Sequence, residues 1–282
     1  MALASVLLKS QCYYRYYSAL QTSIYIPRRL MSLPRTQHGK PFIPTFSQPS
    51  DRQSYAFSVS HQYPFVGLVQ FDTSTEPTAS TRNDLKKIID YPFLGLDIVV
   101  FEPLNERLYK TVEEFVDVFR DNFTPWEWDS LQHHESSMLL REFYLRWATK
   151  EAYTKALGVG LGFPFGSFQV ELQFCDESLG TKLWPRVKEA VLGNNETLTI
   201  QGRVECINDE ILGAVPANAL GRFVFHFYPL SDPNEHADDE MQGCACVCEG
   251  PIIETVEKSV GVQCKWTSMV ELISWHTCRD ET

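Results

Sequence analysis

Residues 136–162 constrain this chain more than any other stretch. Their pattern predicts a long amphipathic helix over Ser136–Leu157, followed by a glycine-rich exit at Gly158, Gly160 and Gly162. Apolar side chains recur at Leu140, Tyr144 and Trp147, and the next residue due on that face is Glu151. A carboxylate where a core residue is expected is costly unless a metal or a cation neutralises it. Lys155 lies one turn further on, and Glu before Lys at i,i+4 is the favourable order. Spacing alone leaves two readings open, an ordinary helix-face ion pair and a charged site.

Four other stretches hold polar groups that need an explanation. Residues 93–101 form an apolar strand interrupted by Asp97, and a lone acid inside such a strand requires a partner. Residues 55–61 alternate apolar and polar side chains, as a strand ending at Ser60-His61 does, and residues 65–71 return as its antiparallel partner. Gly39-Lys40-Pro41 is a turn whose lysine, taken alone, is simply solvated. In Phe123-Thr124-Pro125-Trp126-Glu127, Thr124 is a helix cap, Pro125 the first helical residue and Glu127 the closing member of a capping box. That structural role accounts for every residue of the stretch.

Trp147-x-x-Lys150-Glu151-Ala152-x-x-Lys155, running into Gly158-x-Gly160, resembles the 4′-phosphopantetheinyl transferases. The likeness is to their larger, two-lobed type, which activates carrier proteins of peptide and polyketide synthetases, aminoadipate reductase and fatty-acid synthases. It spans about residues 2–228, with the motifs in family order. It implies that Asp97, in Gly95-Leu-Asp97-Ile98, and Glu151 bind Mg²⁺. By the same resemblance Lys40, Ser60, His61 and Lys150 contact the phosphates of coenzyme A, while Glu151, Lys155 and Glu127 serve the chemistry. Many members place a second acid two residues after the aspartate. Here that position is Val99, which implies water in the metal shell; Glu102 points to the opposite face if the strand continues that far. Members normally have residues ahead of the helical pattern at 2–9, so the resemblance also implies a shortened first lobe.

Composition narrows the class. The net charge is −11, yet residues 1–50 carry six basic side chains and no acid, leaving −17 on the remainder. A basic first segment on an acidic chain suits a small anionic ligand better than nucleic acid. An acid-free, Arg-containing start is also compatible with a mitochondrial transit peptide. No apolar run approaches the ~20 residues that span a bilayer. Eight scattered cysteines fit reduced thiols in a cytosolic protein. From residue 231 onward eleven acids meet three bases, which reads as a partly disordered tail with exposed thiols at Cys244, Cys246 and Cys248.

The expectation is an α+β chain of two pseudo-symmetric lobes, 1–103 and 104–230, each a small antiparallel sheet on a long helix, with a tail over 231–282. The resemblance implies a cytoplasmic monomer, with no membrane or nucleic-acid partner, that uses coenzyme A and Mg²⁺. It would place 4′-phosphopantetheine on the serine of apo acyl, peptidyl or aminoadipate-reductase-type carrier domains, serving lysine, fatty-acid, polyketide or nonribosomal peptide synthesis. The alternative is a catalytically impaired module that binds coenzyme A or carrier protein.

Overall fold

A computed structural model of the chain describes residues 8–9, 35, 39–41, 43–44, 54–55, 57–70, 93–132, 134–159, 163–174, 182–192, 197–207, 219–231 and 241–252. Short strands β1 (Ile43–Pro44) and β2 (Ser54–Tyr55) pair with each other. β3 (Phe57–Gln62) and β4 (Phe65–Gln70) form the antiparallel hairpin that alternation predicts. β5 (Phe93–Val100) precedes three helices, α1 (Val112–Asp117), α2 (Pro125–Gln132) and α3 (Ser136–Leu157). β6 (Phe168–Gln173), α4 (Trp184–Leu192), β7 (Leu198–Cys206), β8 (Gly221–Leu230) and β9 (Gly243–Gly250) follow among the described residues. The fold is α+β, with one five-stranded antiparallel sheet in the order β5-β9-β8-β7-β6 and the hairpin beside it.

Helix α3 has 22 residues and is therefore about 33 Å long. It lies along β5 and β9, and one glycine permits this. A Cβ at Gly95 would sit 1.9 Å from the Ala152 carbonyl oxygen and 2.4 Å from the Ala156 nitrogen, so the helix backbone rests directly on the strand. Leu145, Ala148, Ala152 and Ala156 supply the small or buried face that this approach needs. Beneath them Phe223, Phe225 and Phe227 of β8 are wholly buried, each contributing roughly 1.5–3 kcal/mol of transfer free energy. The other face of the sheet carries Leu94, Leu96, Ile98, Tyr228 and Val247, covered in part by Phe65 and Val69 of the hairpin.

Three expectations need correction. Leu140, Tyr144, Trp147 and Glu151 are not the deepest stripe of α3. All four are half-buried at its edge, because the glycine contact turns the alanines toward the sheet. The supposed disordered tail contains β9, which lies between β5 and β8, and its thiols are buried instead of exposed. Cys244, Cys246 and Cys248 face α3 while Ala245 and Val247 face the other layer, so both sides of this strand are apolar. Finally, β5 hydrogen-bonds to β9, so a boundary at residue 103 does not separate two sheets. Residues 2–7 of the helical pattern expected at 2–9, and residues 253–282, lie outside the described residues.

Candidate functional site

The outer edge of β5 is satisfied by side chains where a strand would ordinarily pair. The Leu96 amide donates to Ser58 Oγ at 3.0 Å, the Ile98 amide to Ser60 Oγ at 3.2 Å, and the Val100 amide to Gln62 Oε1 at 3.0 Å. Alternate residues of β3 thus replace a backbone ladder. Lys40 joins the same edge by donating to the Leu94 carbonyl and to the Ala156 carbonyl, both at 2.9 Å. It therefore clasps β5 to the C-terminal end of α3, where a cation suits the unsatisfied carbonyls. Its stem passes Gly158, whose φ of 74° ends the helix and where a Cβ would meet Lys40 Cδ at 3.0 Å. Burial brings the Lys40 ammonium down to about 8.

Asp97 lies two residues beyond Gly95 and hence faces α3 as well. Lys155 Nζ donates to Asp97 Oδ1 at 2.5 Å and to Ser60 Oγ at 3.0 Å, and Ser60 Oγ donates to the same carboxylate oxygen at 3.1 Å. Burial pushes the Asp97 carboxyl upward, opposed by the Lys155 ammonium and by hydrogen bonds from Lys155, Ser60 and the Ile98 amide. Glu151, one turn before Lys155, is also raised, first by burial and then by the Asp97 charge, while Lys155 lowers it. Two carboxylates from facing elements therefore repel each other across a site balanced by one ammonium.

That donor set fits a divalent cation in charge and ligand type, since hard cations such as Mg²⁺ take carboxylate oxygens. Among the described residues no group of three His, Cys, Asp or Glu side chains gathers as a ligand cage. A cation held by Asp97 and Glu151 would need water or substrate oxygens to complete its shell.

Glu127 and Lys150 form a second pair. Lys150 Nζ donates to Glu127 Oε2 at 2.5 Å and to the Phe168 carbonyl at 2.8 Å, and its ammonium lies 4.5 Å from the centroid of the Phe168 ring. Both side chains are buried. Glu127 Oε2 also accepts from the Thr124 amide at 2.9 Å, and Oε1 from the Val170 amide at 3.0 Å. The capping box is completed by the Glu127 amide, which donates to Thr124 Oγ1 at 3.2 Å. Burial lowers Lys150, and Glu127 opposes the shift. This pair ties α2 and α3 to β6, and both carboxylate oxygens of Glu127 are engaged.

The structure accordingly brings together Asp97, Ser60 and Lys155, with Glu151 within electrostatic reach of Asp97 and Lys155. It does not bring His61 to them. Successive side chains of β3 point to opposite faces, and Ser60 turns to β5 while His61 is exposed opposite Val66. Lys40 reaches α3 but spends its ammonium on carbonyl groups. Sequence reasoning gave no role to Ala152 or Gln62. Ala152 follows Lys150-Glu151 because Gly95 needs a flat partner, and a small residue at that spacing was its only signal.

Residues 93–191 match a model of the family described as the 4′-phosphopantetheinyl transferase superfamily. The match begins at β5 and ends within α4, so it contains Asp97, Glu127, Lys150, Glu151 and Lys155. Over that segment the chain is similar to the 4′-phosphopantetheinyl transferase superfamily. It is 30% identical over 177 residues to an L-aminoadipate-semialdehyde dehydrogenase-phosphopantetheinyl transferase of Xenopus laevis, covering 62% of this chain and 51% of that one. A phosphopantetheinyl transferase of Thraustochytrium is 30% identical over 47% of this chain and 40% of its own length. A 4′-phosphopantetheinyl transferase of Paxillus involutus is 30% identical over 52% of this chain and 51% of its own. The chain spans about half the length of the curated relatives it matches. Of the two charge pairs expected at the site, Lys155 and Glu151 are part-exposed, whereas Lys150 and Glu127 are enclosed.

Proposed function

We propose that this chain transfers 4′-phosphopantetheine from coenzyme A to a serine hydroxyl of an apo carrier domain, in a reaction dependent on Mg²⁺. The convergence of Asp97, Glu151 and Lys155 at the contact of β5 with α3, inside the superfamily segment, supports this reading above all else. In the reaction the serine oxygen bonds to the β-phosphorus of coenzyme A. The bond from that phosphorus to the bridging oxygen breaks, and adenosine 3′,5′-bisphosphate leaves. Bound Mg²⁺ would neutralise the pyrophosphate and so let a hydroxyl approach it.

The residues of the chain divide the remaining work. Asp97 and Glu151 would hold the ion. Lys155 supplies a cation beside the leaving oxygen, where negative charge grows. Glu151 through a water, or Glu127, would accept the serine proton. Ser60 fixes Asp97 Oδ1 against β5. Aminoadipate-reductase-type carriers are proposed as acceptors because that activity appears in the relatives' names, with acyl and peptidyl carriers as the wider class. A monomer working in the cytoplasm completes the reading.

The test is incubation with coenzyme A, Mg²⁺ and several apo carrier proteins, read as the mass gain of one phosphopantetheine. Asp97→Ala should reduce turnover by about 10²–10³, as the loss of a main electrostatic element does. Coenzyme A binding with no mass gain on any carrier would instead favour a binding module, and unchanged turnover in Asp97→Ala would refute the site.

A further inference from the structure

The arrangement of charges at the site carries a consequence for how it is filled. Lys155 Nζ is 2.5 Å from Asp97 Oδ1 and 3.0 Å from Ser60 Oγ, so the ammonium already neutralises the carboxylate that a divalent cation would bind. The Asp97 side chain is 9% exposed and that of Lys155 is 30% exposed. A carboxylate so enclosed needs a counter-charge at all times, and Lys155 supplies one. Carboxylate–Mg²⁺ bonds are about 2.0–2.1 Å long, so a metal ion on Asp97 would stand within a few ångströms of the Lys155 ammonium, and the two cations would repel each other.

We propose that Lys155 is the resident counter-cation of the Asp97–Glu151 pair and that it competes with a divalent cation for Asp97. This inference rests on the proposed function and deepens it. On its side chain of four methylenes the ammonium can swing outward without disturbing α3, because its stem is part-exposed and Ala156, not Lys155, packs against Gly95. Once displaced, Lys155 has lost its anion and is best satisfied by another, which the pyrophosphate of coenzyme A provides. Metal and coenzyme A should consequently bind with positive coupling, and Lys155 is the residue that couples them. Its role is opposite to that of an ordinary neighbour of a metal site, because its presence weakens metal binding when coenzyme A is absent.

The experiment measures Mn²⁺ binding to the full chain by the electron paramagnetic resonance signal of free Mn²⁺. Lys155→Met and Lys155→Gln are compared with the wild type, and Asp97→Asn is the control that removes a ligand. Without coenzyme A, both neutral variants should bind Mn²⁺ about tenfold more tightly than the wild type, within the usual range of coupling between sites. Added coenzyme A should tighten Mn²⁺ on the wild type by a larger factor than on either variant. If Lys155→Met does not fold, as judged by its melting transition, Lys155→Gln decides. Mn²⁺ affinity in the variants equal to or below that of the wild type would overturn the competition while leaving the metal site standing. If neither wild type nor variants bind Mn²⁺, both this inference and the metal assignment beneath it fall.

Discussion

The contact between Gly95 and α3 permits the sharpest prediction. In Gly95→Ala the new methyl would lie 1.9 Å from the Ala152 oxygen and 2.4 Å from the Ala156 nitrogen. Both are backbone atoms held in a helix, so no side-chain rotation relieves the overlap. To reach an ordinary van der Waals separation of 3.4 Å the helix has to retreat by about 1.5 Å. That retreat loosens Leu145, Ala148 and Ala152 from the sheet and draws Lys155 away from Asp97. Overpacking of this kind costs typically 1–3 kcal/mol and sometimes more, and rigid backbone on both sides puts this case at about 3 kcal/mol or above. For a domain of this size the melting temperature should fall by about 6–12 °C. Urea unfolding of Gly95→Ala beside Gly67→Ala is the assay. At Gly67 the methyl meets only side-chain ends, Ile98 Cδ1 and Leu96 Cδ2, each at 3.0 Å, so its effect should stay within about 1 kcal/mol. A Gly95→Ala loss no larger than that of Gly67→Ala would show that α3 does not rest on β5 as described.

Other outcomes follow from the same geometry. Glu127→Ala leaves the Lys150 ammonium buried without its carboxylate and should cost about 3–5 kcal/mol in chemical unfolding, whereas Glu127→Ala combined with Lys150→Met should recover part of that loss. Because the folded-state carboxyl of Glu151 is raised above 4.5, its contribution to stability is fully present below pH 4.5 and is lost as pH rises through the folded value. Glu151→Gln should therefore melt higher than wild type at neutral pH in a chelator, and the gap should close toward pH 4.5; a gap that does not change with pH counts against the Asp97–Glu151 repulsion. Ser60→Ala removes the acceptor of the Ile98 amide and should cost about 1–3 kcal/mol, while exposed His61→Ala should stay within about 0.5 kcal/mol in the same unfolding assay.

Local chemistry was readable from the sequence because it is decided within a few residues. The capping box of Thr124 and Glu127, helix Ser136–Leu157 with its glycine exit and the hairpin of β3 and β4 all depend on short-range hydrogen bonding and periodicity. So did the warning that Asp97 needs a partner, since burial of a lone charge is costly whatever surrounds it. Which partner it takes was not readable. Lys155 reaches Asp97 only because Gly95 admits the backbone of α3, a contact between residues about sixty positions apart. The same holds for Glu127, which local spacing identifies as a cap but which only packing supplies with Lys150 and the Val170 amide. β9 was misread because its acidic surroundings dominated the composition, while its five-residue alternation of cysteine with alanine and valine is apolar on both faces. A chain's charge over fifty residues measures its solvation, whereas burial of a strand is decided by the two layers that meet it, and those layers come from distant parts of the chain.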